Sequence, residues 1–182
     1  MTIPFTPIVG RLVAILLVGV LPSAAMSLED TPPLKTEYAF VTHVLTGDAL
    51  VAEHTPDGNT RYVPIIGGTV SGPGLKGTIL SGGDSQVVRS DGVFVIEARY
   101  MFKTDDNVLI SVLNRGMRHA SAAVMARLLK GEHVPADQYY FRTVAQIEAP
   151  VGSRYEALNK SLFVAMAERE PTGAVLHFYR ID

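Results

Sequence analysis

VFVIEARYMFKTDDNVLISVLNR (residues 93–115) alternates apolar and mixed side chains on either side of a turn. Such alternation marks strands, because successive side chains leave a strand on opposite faces. Phe94, Ile96, Ala98, Tyr100 and Phe102 share one face; Val93, Val95, Glu97, Arg99, Met101 and Lys103 share the other. TDDN (residues 104–107) supplies the turn. With Asp106 and Asn107 as the central pair of a type I′ turn, Tyr100 is expected opposite Leu113, Arg99 opposite Asn114 and Met101 opposite Val112. A strand with one apolar and one mixed face suits a barrel wall covered on both sides, the interior on one and a helix or second subunit on the other. The mixed face then groups Glu97, Arg99 and Asn114 among Met101, Ile110 and Val112. Apolar walls with a few convergent polar groups are the make-up of a small-molecule pocket. The competing reading is a solvated ion pair between strand neighbours.

Working outward, TEYAFVTHVL, RYVPII, LKGTIL and SQVVRS precede this hairpin, and YYFRTVAQIEA, SLFVAMAER and AVLHFYRI follow it. All are short and rich in β-branched and aromatic residues. PDGN (56–59), GPG (72–74), SDG (90–92) and EPTG (170–173) punctuate them with turn residues. One segment differs. SAAVMARLLKG (121–131) places Val124, Met125, Leu128 and Leu129 at helical spacing, with Ser121 as N-cap and Gly131 as the left-handed residue after the end. The pattern predicts an all-β fold: an antiparallel β-barrel of about eight to ten strands with one short amphipathic helix closing an end or covering a face.

The 182 residues, 47% hydrophobic, suffice for one domain with a real core. Sixteen basic residues against eighteen acidic give a net charge of −2 without any basic run, which excludes the electrostatics of a nucleic-acid partner. At the start, Arg11 precedes the apolar run LVAILLVGVL (12–21), then Pro22 and the small residues Ser23, Ala24 and Ala25. This describes a signal peptide over 1–25, cleaved after Ala25. The run is too short for the roughly 20 apolar residues of a membrane span, so no stable span is expected after cleavage. A linker is expected over 26–36 and the barrel over 37–182, in a periplasmic or secreted protein. There is no cysteine, hence no disulfide and no thiolate chemistry. The five histidines show neither HxH nor HExxH spacing, so no metal and no other cofactor is expected; His43, in mid-strand, is the one to watch. GGTVSGPGLKG (67–77) fits no phosphate-binding pattern and reads as turns and close backbone packing.

IIGGTVSGPGLKGTILSGGDSQVVRSDGVFVIEARYMFKTDDN, then YYFRTVAQIEA and ALNKSLFVA, together resemble the domain-of-unknown-function 3237 family, also called uncharacterised protein family 0311. The resemblance runs over roughly 38–182. It implies a small barrel similar to the calycin or allene-oxide-cyclase barrels. The family's acidic-x-Arg step falls on Glu97 and Arg99, its Phe-Arg-Thr step on Phe141, Arg142 and Thr143, a later acidic position on Glu148, and the Asn of its Trp-Leu-Asn step on Asn159. Arg142 and Glu148, six residues apart on a strand, share a face. The chain departs from the pattern where Ala-Asp-Trp gives way to Gly83-Asp84-Ser85-Gln86, at Asn107 in place of the turn glycine, and at Ala157 in place of a Trp. The resulting expectation is a barrel that binds a small, mostly apolar organic molecule. Glu97, Arg99 and Arg142 are the catalytic candidates, with Asn114, Glu148 and Asn159 as substrate-binding groups. The alternatives are a cofactor-independent lyase or isomerase using a buried carboxylate, and a structural barrel whose partner is another copy of itself.

Overall fold

The computed structural model describes residues 32–182. The expected signal peptide (1–25) and most of the linker lie outside the described residues, and Leu34–Asp182 forms one compact unit. No described helix is long and apolar enough to cross a membrane.

Ten strands follow in order: β1 (Thr36–Thr46), β2 (Leu50–Thr55), β3 (Gly58–Gly72), β4 (Leu75–Ile79), β5 (Gly82–Val88), β6 (Phe94–Thr104), β7 (Leu109–His119), β8 (Tyr140–Glu148), β9 (Phe163–Glu170) and β10 (Gly173–Ile181). All pairings are antiparallel, and β1 pairs with both β10 and β3, so the sheet closes on itself. The long strand β3 is shared. Its first half lies between β2 and β5, and its second half between β1 and β4. The ten strands therefore build eight staves of a closed barrel, with β1 and β2 in one position and β4 and β5 in another. The partner change on β3 falls near Gly67 and Gly68. Gly68 has a φ of +138°, and a Cβ there would run into the His43 carbonyl. The glycine-rich run is thus close backbone packing around a bent strand.

The β6–β7 hairpin differs from the sequence expectation by one residue. Thr104 and Val108 close it: Thr104 N–H donates to Val108 O at 2.9 Å and Val108 N–H to Thr104 Oγ1 at 2.9 Å. The loop is three residues, 105–107, and Asn107 takes the left-handed conformation at φ +65°. This is a type I turn followed by a left-handed residue, not the two-residue type I′ turn. The register becomes Ala98 opposite Asn114, Tyr100 opposite Val112 and Arg99 opposite Leu113. Because strand faces alternate, the shift moves Asn114 onto the Phe94–Phe102 face.

That apolar face is the barrel interior. Phe94, Ile96, Ala98, Tyr100 and Phe102 are all buried, while Val95, Arg99 and Met101 face outward. Burial of apolar surface decides the orientation, since solvating the four large side chains Phe94, Ile96, Tyr100 and Phe102 instead would cost several kcal/mol at about 25 cal/mol per Å². The two ends of the barrel are filled differently. Near the 105–107 loop, Phe102, Ile110, Phe40, Phe163 and Phe178 are essentially inaccessible, with Phe40 and Phe178 stacked at 4.6 Å. Tyr155 closes that end by donating from Oη to Asp106 Oδ1 at 2.9 Å.

Helix α1 (Ala122–Leu129) sits at the other end, directly after β7. Ser121 caps it by accepting from the Val124 N–H, and Met125 and Leu128 are its buried residues. At its C-terminus Gly131 N–H donates to Leu128 O and Glu132 N–H to Arg127 O, with Gly131 at φ +75°. This is the paired-bond ending that needs a left-handed residue.

Candidate functional site

Beneath α1 the interior is not filled but opens into a cavity of about 350 Å³. Its apolar wall includes Val44, Val63, Ile65, Ile96 and Leu176, and Leu128 of the helix covers it. Asp48, Leu129, Lys130, Gly131 and Pro171 border the cavity and are solvent-exposed, which places the mouth between the β1–β2 loop, the helix end and the β9–β10 turn.

The polar groups inside the cavity arrive from six strands. Arg61 lies on β3, Asp84 and Gln86 on β5, Tyr100 on β6, Asn114 and Arg118 on β7, Thr143 on β8 and Arg169 on β9. Register explains why they meet. Asp84 pairs with Val63 and Ala98, and Ala98 in turn with Asn114, forming one inward row. In the next rows Arg61 pairs with Gln86, and Phe94 with Arg118, which pairs with Phe141. Arg118 is only 4% exposed, and its guanidinium lies between the Phe94 ring (4.8 Å) and the Phe141 ring (5.4 Å). Arg61 also reaches over Phe94, at 5.6 Å. Planar guanidinium groups stack on aromatic faces in this way and keep their in-plane donors free.

Those donors are free of protein partners. Eight buried side-chain polar atoms among the described residues have none, and seven belong to this cavity: Arg61 Nε, Asp84 Oδ1, Gln86 Oε1, Tyr100 Oη, Asn114 Oδ1, Arg118 Nε and Thr143 Oγ1. Buried polar groups are ordinarily satisfied, and a cluster of exceptions in one cavity marks a place where something other than the fold supplies the partners. Asp84 accepts from Gln86 Nε2 through Oδ2 at 2.5 Å, leaving Oδ1 to the cavity. It takes part in none of the ion pairs among the described residues.

The electrostatics follow from burial. Desolvation pushes the Asp84 carboxyl up to about 6; the Gln86 hydrogen bond and the charges of Arg118, Arg169 and Arg61 oppose it without cancelling it. Arg118 is pushed down to about 10, by burial first and then by Arg169, and stays charged at neutral pH. Burial also lowers Arg61 and Arg169, with Asp84 opposing in both cases. Burial raises the Tyr100 phenol, against a smaller contribution from Thr42, and keeps it protonated.

Of the six residues that the sequence marks as site candidates, one lies here. Asn114, 2% exposed, lines the cavity. Glu97 and Arg99 project outward and form a surface network, with Arg99 Nε donating to Glu97 Oε1 at 2.9 Å and Arg115 Nε to Glu97 Oε2 at 2.7 Å. Arg115 and then Arg99 hold the Glu97 carboxyl below its usual range, as for a solvated ion pair. Arg142 and Glu148 do share a face, but it is the outer one. Arg142 Nη1 donates to Phe141 O at 2.8 Å and its guanidinium lies over the Tyr140 ring, while Glu148 accepts from Gln146. Asn159 is a clasp: its Oδ1 accepts from Ala149 N–H at 2.7 Å and its Nδ2 donates to Ala149 O at 2.9 Å. His43 is exposed on the outer face. The expected interior cluster of Glu97, Arg99, Arg142 and Glu148 is corrected to Arg61, Asp84, Gln86, Asn114, Arg118 and Arg169.

A closed antiparallel barrel with one covering helix and a polar cavity at the helix end defines the class. Within it, the chain belongs to the family described as Protein of unknown function (DUF3237), whose model matches residues 34–181. A UPF0311 protein of Rhodopseudomonas palustris is 34% identical over 152 residues, covering 83% of this chain and 99% of that one. A crystal structure of a conserved protein of unknown function from that organism superposes with a TM-score of 0.77 over 84% of this chain and 99% of its own. A β-barrel-like protein of Acinetobacter baumannii, 35% identical, superposes with a TM-score of 0.71 over 84% of this chain and 99% of its own. More distantly, a hydroalkoxylation enzyme of Penicillium herquei is 26% identical over 89 residues, covering 48% of this chain and 59% of that protein. The fold is also that of a solved Penicillium herquei enzyme, at 17% identity and a TM-score of 0.64 over 84% of this chain and 97% of its own.

Proposed function

We propose that the cavity binds a small, mostly apolar organic molecule with one acidic oxygen, a carboxylate, phenolate or enolate. Arg118, Arg61 and Arg169 receive that oxygen. The observation that carries this reading is the charge facing the cavity. Three guanidinium groups meet a single carboxylate, Asp84, so 3 − 1 = 2 positive charges lack an anion. At the mouth, Asp48 and Lys130 offset each other. Buried charge without a counter-charge is costly, and an anionic ligand relieves it through charge-assisted hydrogen bonds. The apolar wall receives the rest of the molecule. The similarity to a hydroalkoxylation enzyme supports the idea that a barrel of this kind can hold an organic molecule that reacts. We also propose that the protein is exported and meets its ligand outside the cytoplasm, on the strength of the apolar run at 12–21 and the small residues before Met26.

The test is calorimetry with pairs of equal shape and different charge: 2-naphthoate against 2-naphthamide, and 2-naphthol against 2-methoxynaphthalene. The acidic member of a pair is expected to bind at least about tenfold tighter, and Arg118→Met to reduce that preference to within about threefold, since a hydrogen bond to a charged group contributes about 1.5–3 kcal/mol. Equal binding of both members, or no binding of any, overturns the proposal. Arg169→Gln, at a less buried position than Arg118, repeats the test should Arg118→Met not fold.

A further inference from the structure

Resting on that reading of the cavity, we propose that Asp84 is a proton-carrying catalytic residue and that the bound molecule is an enolisable carbonyl compound. Asp84 and the arginines line one cavity from different strands: β5 for the carboxylate, and β3, β7 and β9 for the guanidinium groups. Asp84 Oδ1 is buried without a protein partner, as are Arg61 Nε and Arg118 Nε. A base and two cationic donors thus face one cavity with their reactive atoms unspent. Binding an anion needs only the donors. An unpaired carboxylate beside them lowers affinity for any anion, so its presence calls for a role that changes during the ligand's residence.

Proton transfer at carbon provides that role. Asp84 Oδ1 takes the proton from the carbon beside the ligand's carbonyl. The C–H electron pair becomes the C=C bond of the enolate, and the carbonyl π pair moves onto oxygen, where Arg118 and Arg61 hold it. The carboxyl proton on Asp84 trades with water admitted through the cavity mouth, and Asp84 then delivers a solvent-derived proton to the same carbon, or passes the original proton to the far end of a conjugated system. The first outcome is exchange and the second isomerisation; no atom is lost and no co-reactant is consumed. As Asp84 becomes neutral the oxygen becomes anionic, so the charge in the cavity is constant throughout. The arginines therefore stabilise the enolate more than the neutral ketone, which is the differential binding that catalysis requires.

The groups around Asp84 are consistent with a base near its useful range. Gln86 from its own strand and Arg61, Arg118 and Arg169 from three others favour its charged form; burial disfavours it and prevails, to give about 6. A base titrating near the working pH balances the fraction deprotonated against basicity. Tyr100 of β6 stays protonated because burial raises its phenol, so it does not compete as the base, and Tyr139 Oη accepts from the Arg169 backbone N–H.

The experiment is hydrogen–deuterium exchange at C1 of 2-tetralone in D2O, followed by proton NMR, with 2-naphthol binding measured alongside as a mimic of the enol. The wild type is expected to exchange C1 at least about 100-fold faster than Asp84→Asn, the order expected for a positioned acid–base group. The rate should rise through about pH 6 in the wild type only. Both proteins should bind 2-naphthol, with the variant within about threefold of the wild type or tighter, because it removes a carboxylate and keeps the arginines. Exchange no faster than in buffer, or equal in both proteins while 2-naphthol still binds, overturns the proton-carrying role and leaves the binding site standing. Loss of 2-naphthol binding by the wild type overturns both.

Discussion

At the scale of single residues, Asp84 is a destabilising group. Its carboxyl titrates near 6 in the folded protein against an ordinary 3.8, so the folded state holds the extra proton between those values. Its contribution is therefore neutral below about pH 4, and stability falls as the pH rises toward 6, by about 3 kcal/mol in total at 1.36 kcal/mol per pH unit. Asp84→Asn is expected to match the wild type in thermal unfolding at pH 4 and to exceed it at pH 7; equal melting at pH 7 would contradict the assigned environment. Glu97 is the opposite case, a carboxylate held in its charged form by two exposed arginines. The two also differ in legibility. Glu97 draws attention because it interrupts an apolar strand, yet it lies out of phase with the apolar residues and so faces water. Arg61, Arg118 and Arg169 are quieter in the sequence but are in phase with Val63 and Ile65, with Ile110 and Val112, and with Phe163 and Ala165. A charge in phase with a buried face, near the end of its strand, is the signal that sequence reading passed over.

At the scale of elements, alternation and turn residues find nine of the ten strands, and spacing with caps finds the helix within a residue or two; β2 (Leu50–Thr55) escapes because nearly all its residues are exposed and no buried face marks it. What alternation could not supply is which face turns inward and how many residues the turn contains. A three-residue loop in place of two moved Asn114 from one face to the other, and with it the partner row of the entire hairpin. Ile110 and Val112 are in phase with the buried face, and their burial selects the longer loop over the two-residue turn. Where backbone geometry leaves no choice, the sequence is a direct guide, as at Gly131. Its φ of +75° supports the two hydrogen bonds that finish α1, so Gly131→Ala should cost about 1 kcal/mol in urea unfolding through the left-handed penalty. A loss under a few tenths would mean that the helix end rearranges.

For the molecule as a whole, closure of the sheet removes every free edge except the short outer strands, and a chain without disulfides must rest on that closure and on its core. Export is the prediction that belongs to this scale: intact-mass analysis of the protein recovered from outside the cytoplasm is expected to show a chain beginning at Met26. A full-length mass, or recovery only from inside the cell, would contradict it. The unequal filling of the two barrel ends has a further consequence. The phenylalanine-packed end carries the tight core, and under the proposed binding role recognition falls to the end beneath α1, so substitutions in the cavity would alter its contents while the remote packing absorbs little of the disturbance. On that reading, the ligand preference of such a barrel can be changed with its architecture held fixed.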